Sequence, residues 1–220
     1  MKPEVTIYIC SHNYGQFLDQ SITSALQQSY QNIKIFLVNE GSDDNTFEII
    51  KKYKEKYPNK ITTIDNKNAI GLQKVTNQIL SQINSDFIFR LDADDWLTAD
   101  AIEKLVLRSE EIEDTSIIYG DYYYTDVSGN ILGEESQKYY IKKKDFFGLM
   151  PHGACCLINV KKFKAMGGYN IEYKAQDGWD LWLNLDRNDY ESVDSKIFFY
   201  RQHGKSLSVN LEKISNQRNK

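Results

Sequence analysis

The chain has 220 residues, of which 41% are hydrophobic and 26% are charged. That is enough for one sizeable α/β domain, and no break in composition indicates two. The net charge of −4 and the pI of about 5.5 give no general electrostatic attraction to nucleic acid. We therefore expect no nucleic-acid partner.

Targeting signals and cysteines bear on the compartment. No basic segment with a long apolar run precedes the first strand pattern, and no stretch of about 18 apolar residues occurs, so we expect neither a signal peptide nor a membrane span. The cysteines are Cys10, Cys155 and Cys156. Their odd number and spacing fit neither a disulfide framework nor a zinc site. A reducing cytoplasm is the expected compartment.

Short apolar runs alternate with segments of helical spacing in the first half of the chain. Strands are predicted at Val5–Cys10, Ile33–Val38, Ile61–Ile64 and Phe87–Leu91. Three helices are predicted between these strands, each with one apolar face toward the core. The core-facing residues are Leu18, Ile22, Ala25 and Leu26 in the first helix, Phe47, Ile50, Tyr53 and Tyr57 in the second, and Leu72, Val75, Ile79 and Ile83 in the third. This alternation predicts an α/β fold with a mostly parallel sheet.

The second half is less regular and predicts a smaller mixed region. The predicted elements are a helix at Ala99–Arg108, a strand at Ser116–Tyr124, a turn at Val127–Asn130 with a further strand, strands at Ala154–Val160 and Lys196–Tyr200, and a helix at Asp177–Arg187. Residues 210–220 are polar and are expected to form a loose tail.

Three carboxylates follow the fourth predicted strand within four positions, as Asp92, Asp94 and Asp95 in the segment FIFRLDADDW. Arg90 is the one charged residue inside that otherwise apolar strand. Sites in α/β folds lie at the carboxyl ends of strands, and carboxylates suit Mg²⁺ or Mn²⁺, which also bind phosphate oxygens. The segment therefore predicts a metal–diphosphate site, with a solvated turn or a helix N-cap as the alternative.

Three other loops follow predicted parallel strands, at Ser11–Gly15, Asn39–Thr46 and Asn66–Leu72, and should converge on the same edge. The first places a hydroxyl, an imidazole and an amide before a helix, where free N–H groups favour anions or base edges. Ordinary capping of that helix by Ser11 or Asn13 is the alternative.

The second loop, NEGSDDNT, has a glycine that permits a tight turn and a carboxylate, Glu40, that could accept hydrogen bonds from a base or a ribose. Its residues Asp43, Asp44 and Asn45 are also good helix caps.

Two lysine-rich runs, Lys51–Lys56 and Lys142–Lys144, are most simply solvated faces. Because Phe146 and Phe147 follow the second run, contact with a membrane surface or a lipid-linked substrate stays open as an alternative.

Four segments together resemble one family over nearly the whole chain. They are VTIYICSHNYGQFLDQSITSALQQSYQNIKIFLVNEGSDDNT, NAIGLQKVTNQILSQINSDFIFRLDADDW, GGYNIEYKAQDGWDLWLNL and YRQHGKSLS. In this order and spacing they resemble the opening strand and loops, the DXD region, the ED-type segment and the closing strand of the family 2 glycosyltransferases. Those enzymes are inverting nucleotide-sugar transferases with the GT-A fold.

The resemblance implies a single GT-A domain over residues 1–209, with a nucleotide-sugar-binding half at 1–98 and an acceptor half with the catalytic base at 99–209. It implies a nucleotide-sugar donor, expected to be UDP-linked, and transfer of a hexose or N-acetylhexosamine to an acceptor hydroxyl. The acceptor would be a surface glycan or polysaccharide, free or lipid-linked. The protein itself would be cytoplasmic or peripheral at the inner face of the membrane. Single addition is expected rather than processive synthesis.

Individual roles follow from the same resemblance. Ser11 and Asn13 would line the nucleotide pocket, Glu40 would contact the base or ribose, Asp92 would reach the ribose or the metal, Asp94 would be the principal ligand of Mn²⁺ or Mg²⁺, His203 would be a metal or diphosphate ligand, and Asp177 would be the catalytic base. From the residues alone, Asp177 reads as a helix cap and His203 as a surface histidine.

Several positions depart from the family's pattern. The family's usual paired aspartates are replaced here by Asn39 and Glu40. An arginine often found before the asparagine of the third loop is replaced by Thr76, which leaves Lys74 as a candidate charge substitute in nucleotide binding. Gln176 replaces a glutamate, while the carboxylate after it is kept. These departures motivate an alternative function, a catalytically silent module that binds a nucleotide or glycan. A nucleotidyltransferase ranks lower because no glycine-rich basic loop follows the first strand.

Overall fold

The computed structural model describes residues 2–112, 114–137, 151–172, 181–182 and 189–204. The first half contains β1 Val5–Ser11, α1 Gly15–Leu26, β2 Ile33–Glu40, α2 Thr46–Lys56, β3 Ile61–Asn66, α3 Leu72–Gln82 and β4 Phe87–Asp92. The second half contains β5 Trp96–Leu97, α4 Ala101–Glu111, β6 Ile117–Thr125, β7 Ile131–Glu135, β8 Leu157–Asn159, α5 Val160–Ala165 and β9 Tyr190–Arg201.

All the strands of the described residues belong to one sheet, in the order β3-β2-β1-β4-β8-β6-β9-β5, with β7 paired to β6. The first four strands are parallel to one another. β8 is antiparallel to β4 and to β6, and β6 is parallel to β9, so β6 and β9 run in the same direction as the first four. The prediction of a mostly parallel α/β sheet with a smaller mixed region is confirmed.

The core has two layers, one on each face of the sheet. Alternate residues of β1 separate between them, since Ile7 and Ile9 join the layer under α1, α2 and α4, whereas Tyr8 joins the layer under α3 and α5. This alternation is the period of two expected for a strand buried on both faces.

The observed element boundaries and core-facing residues differ from the predictions in a few places. Phe47 was expected in the core, but it is 42% exposed; α2 buries Ile49, which was not predicted, beside Ile50, which was. The strand expected at Ala154–Val160 is only β8, because the Asn159 side chain accepts a hydrogen bond from the Lys162 N–H and begins α5 there.

Some predicted features lie outside the described residues. Of the predicted helix Asp177–Arg187, only Leu181 and Trp182 are described, and both are helical and buried. The run Lys142–Lys144 with its two phenylalanines, and the tail at 210–220, also lie outside.

Candidate active site

The candidate site lies at the carboxyl ends of β1 and β4, where the strand order reverses. From β1 the chain continues outward through β2 and β3, and it returns to the other side of β1 as β4. Cys10 and Asp92 are register partners, so the loop after β1 and the acidic loop leave the sheet side by side. Open α/β sheets bind their ligands at such a reversal.

Asp94 and His203 meet at this edge although they are far apart in sequence. His203 Nε2 lies 2.8 Å from Asp94 Oδ2. The imidazole is stacked on the ring of Phe17 at 5.3 Å between centroids and lies beside Tyr14 at 5.6 Å. Burial, together with the negative charge of Asp92, raises the pKa of Asp94, while His203 acts in the opposite direction.

This pair fits a divalent cation. Two neighbouring ligands of an octahedral ion, each at about 2.1 Å, lie about 3 Å apart. The observed Asp94–His203 separation is close to that value, and a carboxylate with an imidazole suits Mn²⁺. No group of three or more His, Cys, Asp or Glu side chains with metal-binding geometry occurs in the described part of the chain. The pair would leave positions on such an ion open to other oxygen ligands.

Asp92 is held by an arginine from its own strand. Arg90 Nε lies 3.0 Å from Asp92 Oδ1, and Arg90 Nη2 donates to Asp92 Oδ2 at 3.4 Å. The backbone carbonyl of Asp92 accepts from the Ser21 hydroxyl and from the N–H of Asp95. The Asp92 carboxylate is thereby fixed in the same acidic loop as Asp94.

Asp95 is buried, and its carboxylate makes different contacts from those of Asp92 and Asp94. Its Oδ1 accepts a hydrogen bond from the backbone N–H of Arg201 at 2.8 Å, and its Oδ2 has no partner among the described residues. Burial, reinforced by the charges of Asp94 and Asp92, raises the pKa of Asp95 well above the usual range. Asp95 thus ties the acidic loop to the end of β9 through the backbone of Arg201.

Arg201 braces the acidic loop, and sequence analysis did not single it out. Its Nε donates to the backbone carbonyl of Asp94 at 2.8 Å, and its Nη2 donates to Gln20 Oε1 at 2.5 Å. The guanidinium lies between the rings of Phe17 and Trp96, 4.6 Å from each centroid. The only sequence signal was its place in the segment YRQHGKSLS.

The loop after β1 is tied to the loop after β2. Asn13 has a left-handed backbone (φ 61°), and its Oδ1 accepts from the Asp43 N–H at 2.7 Å. Ser11 is fully buried, with its hydroxyl 3.4 Å from that of Thr46. Neither residue caps α1, so that alternative was wrong; Asp44 instead accepts from the backbone N–H groups of residues 15 and 46.

Glu40 ties the loop after β2 to the loop after β3. Its carboxylate accepts hydrogen bonds from the backbone N–H groups of Ile70 at 2.9 Å and Gly71 at 3.0 Å, and from the Asn66 side chain. His12 Nδ1 donates to the backbone carbonyl of Glu40 at 2.7 Å. Contact of Glu40 with a base or ribose stays a prediction.

Two other residues that depart from the family's pattern, Asn39 and Thr76, also have hydrogen-bond partners. Asn39 donates to Asp65 Oδ1 at 2.8 Å, which a second carboxylate at position 39 could not do in its ionised form. Thr76 is buried, and its hydroxyl lies 2.8 Å from that of Tyr8. Lys74 is exposed on α3. Its role as a charge substitute in nucleotide binding stays a prediction.

The remaining predicted site residue, Asp177, lies outside the described residues. Its role as the catalytic base also stays a prediction.

A family model described as Glycosyl transferase family 2 matches residues 6–167. Glycosyltransferase GlyA of Streptococcus pneumoniae is 31% identical over 178 residues, which are 79% of this chain and 25% of GlyA. Glycosyltransferase GlyG of the same organism is 29% identical over 66% of this chain and 46% of its own length. The chain thus spans a quarter to a half of these two relatives.

Solved structures share the fold. S. aureus TarS residues 1–349 in complex with UDP superposes with a TM-score of 0.72 at 15% identity, over 90% of this chain and 60% of that one. The mannosyltransferase PcManGT from Pyrobaculum calidifontis, in complex with GDP-Man and Mn²⁺, gives a TM-score of 0.69 at 12% identity, over 98% of this chain and 61% of that one. None of the helices in the described residues has the length and apolar character needed to cross a bilayer. The chain belongs to glycosyltransferase family 2 and has the GT-A fold.

Proposed function

We propose that the chain transfers a hexose or N-acetylhexosamine from a UDP-linked donor to a glycan hydroxyl with inversion at the anomeric carbon. The observation that carries the proposal is the Asp94–His203 pair at the strand-order reversal, with Asp92 held beside it. The UDP and UDP-GlcNAc complexes of TarS, a protein with the same fold, support the choice of donor.

In this proposal Asp94 and His203 hold Mn²⁺ or Mg²⁺, and Asp92 faces the ribose or the metal. The bound ion would neutralise the negative charge that develops on the diphosphate leaving group. The donor-side assignments are Ser11, Asn13, Glu40 and Lys74. Because Ser11 is buried and Glu40 holds the third loop, we assign these two to the shape of the pocket.

Asp177 is the proposed catalytic base. It would take the proton from the acceptor hydroxyl while that oxygen attacks the anomeric carbon opposite the leaving diphosphate, which inverts the configuration. The proposed acceptor is a surface glycan or polysaccharide, free or lipid-linked. The segment with Lys142–Lys144 and the following phenylalanines is the proposed point of peripheral membrane contact.

The first test is calorimetric titration of UDP, GDP and dTDP, each with and without Mn²⁺. We expect metal-dependent binding of UDP that Asp94→Ala abolishes, because it removes one of the two protein ligands. Glu55→Ala, which removes an exposed carboxylate from α2, is the matched control and should bind like the unchanged protein. Absence of binding by all three nucleotides would refute the donor site.

Turnover separates the enzyme from a silent binding module. With UDP-sugar and an acceptor mixture, Asp177→Asn should keep donor binding and lose product formation. Donor binding without any product from the unchanged protein across acceptors would favour the silent module.

A further inference from the structure

Arg90 is a buried cation that pairs with a carboxylate of the acidic loop. Its side chain is 8% exposed in a strand whose other members up to Leu91 are apolar and buried. A buried guanidinium without a counter-charge is strongly destabilising, and Asp92 at 3.0 Å supplies that counter-charge. The pair therefore links the interior of the sheet directly to the candidate donor site.

Tyr8 links Arg90 to position 76, on the face of the sheet that α3 covers. Ile88 and Tyr8 both belong to the core layer under α3, and alternation along β4 puts Arg90 on that face as well. Tyr8 is the register partner of Arg90 on β1. The Tyr8 hydroxyl in turn lies 2.8 Å from that of Thr76 on α3, so Tyr8 connects the two positions.

We propose that Arg90 is a positioning residue that orients Asp92 toward the donor. Arg90 is in contact with the acidic loop through its ion pair with Asp92, whereas Lys74, the cation considered above for nucleotide binding, is exposed on α3. Asp92 and Asp94 repel each other at this edge, so a fixed cation on Asp92 also favours the approach of a diphosphate. This inference rests on the proposed donor site.

A thermal-stability cycle tests the pair without any ligand. We expect Arg90→Met and Asp92→Asn each to lower Tm by several degrees, because each removes one member of the Arg90–Asp92 ion pair from a largely buried position. The double variant should lose clearly less than the sum of the two, since both charges are then gone. Additive losses would overturn the pairing.

Donor binding tests the positioning role. In the presence of Mn²⁺, Arg90→Met should bind UDP about tenfold or more weakly, because Asp92 is no longer held. Arg90→Lys, which keeps the charge, should bind more tightly than Arg90→Met.

The outcomes separate this inference from the proposed function. UDP binding by Arg90→Met at the affinity of the unchanged protein would overturn the positioning role. So would an equal loss of UDP binding in Arg90→Met and Arg90→Lys at comparable Tm. If the unchanged protein binds no nucleotide, the donor site itself fails, while the stability cycle still decides whether Arg90 and Asp92 form a coupled pair.

Discussion

The two halves of the sheet fix their contributions to the site by different means. In the first half, the loops after β1, β2 and β3 are joined by short side chains that bind backbone N–H groups of the next loop, as Glu40 does with Ile70 and Gly71. In the second half, Arg201 reaches partners on several elements through one long buried side chain. The first arrangement depends on local loop sequences, and the second on contacts between distant parts of the chain.

The largest effect should come from Arg201→Ala. This change removes a buried guanidinium from between two aromatic rings and from the Asp94 carbonyl, and it leaves the buried Asp95 without its nearby cation. We expect a loss of about 3–5 kcal/mol in the free energy of unfolding, measured by urea denaturation.

The matched control is Arg108→Ala, which removes an arginine whose side chain is 35% exposed and which pairs with Glu111 and Glu191. It should cost at most about 1 kcal/mol. Equal losses for the two arginine variants would contradict the bracing role of Arg201.

In the first half, Gly41→Ala should have the next largest effect. Gly41 has φ +65°, and a Cβ there would lie 2.9 Å from the backbone atoms Ala69 N and Asn68 Cα. Backbone strain and this clash should together cost about 3 kcal/mol and push the second and third loops apart. Calorimetric unfolding measures the loss.

Gly133→Ala is the control for this change, because a Cβ at Gly133 meets nothing within 4 Å. Its effect should stay within about 0.5 kcal/mol. If Gly41→Ala were equally mild, the close approach of the two loops would not be a constraint on the fold.

Glu40→Gln tests the carboxylate that holds the third loop. An amide presents one acceptor oxygen instead of two, so its NH₂ group would face a backbone or side-chain donor. The expected cost is about 2 kcal/mol, with faster hydrogen exchange at Ile70 and Gly71. Glu55→Gln on the exposed face of α2 should leave both the free energy of unfolding and the hydrogen-exchange rates unchanged.

The same contrast explains what could be predicted from the sequence. The first four strands follow the apolar runs closely because buried parallel strands need consecutive apolar residues. They extend one or two residues further than predicted, to Ser11, Glu40, Asn66 and Asp92, because these polar residues still pair in the ladder. Asp94 and His203 were both predicted as metal ligands, and the structure brings them together.

Residues that act over long sequence separations could not be found in this way. The hydrogen-bond partners of the Arg201 side chain lie 74, 107 and 181 positions away in the sequence, so no local sequence pattern indicates them. Arg90 looked out of place in an apolar strand, although its partner Asp92 is only two positions away on the same face. The capping role went to Asp44 rather than to Ser11 or Asn13, because the first turn of α1 lies against the second loop.

Asp121→Asn should give the smallest effect, a change in pH dependence within the second half. Asp121 on β6 is buried, and burial raises its pKa, with Asp194 acting in the same direction; the Gln137 N–H and the charge of Lys196 act against it. The folded protein therefore keeps a proton that the unfolded chain releases. Its contribution to stability must fall as pH rises from about 4 toward the raised pKa.

Removing this carboxylate should flatten that fall, while the amide oxygen still accepts the bond from the Gln137 N–H. The measurement is the free energy of unfolding in urea at a series of pH values from about 2 to about 7. Hydrogen bonds from Asn130 lower the pKa of Asp126 and stabilise its ionised form in the folded protein, so Asp126→Asn should remove a rise of stability with pH that lies at the acid end of the series, below about pH 4. Parallel changes in the two variants would show that net charge, and not burial in the second half of the sheet, determines the pH dependence.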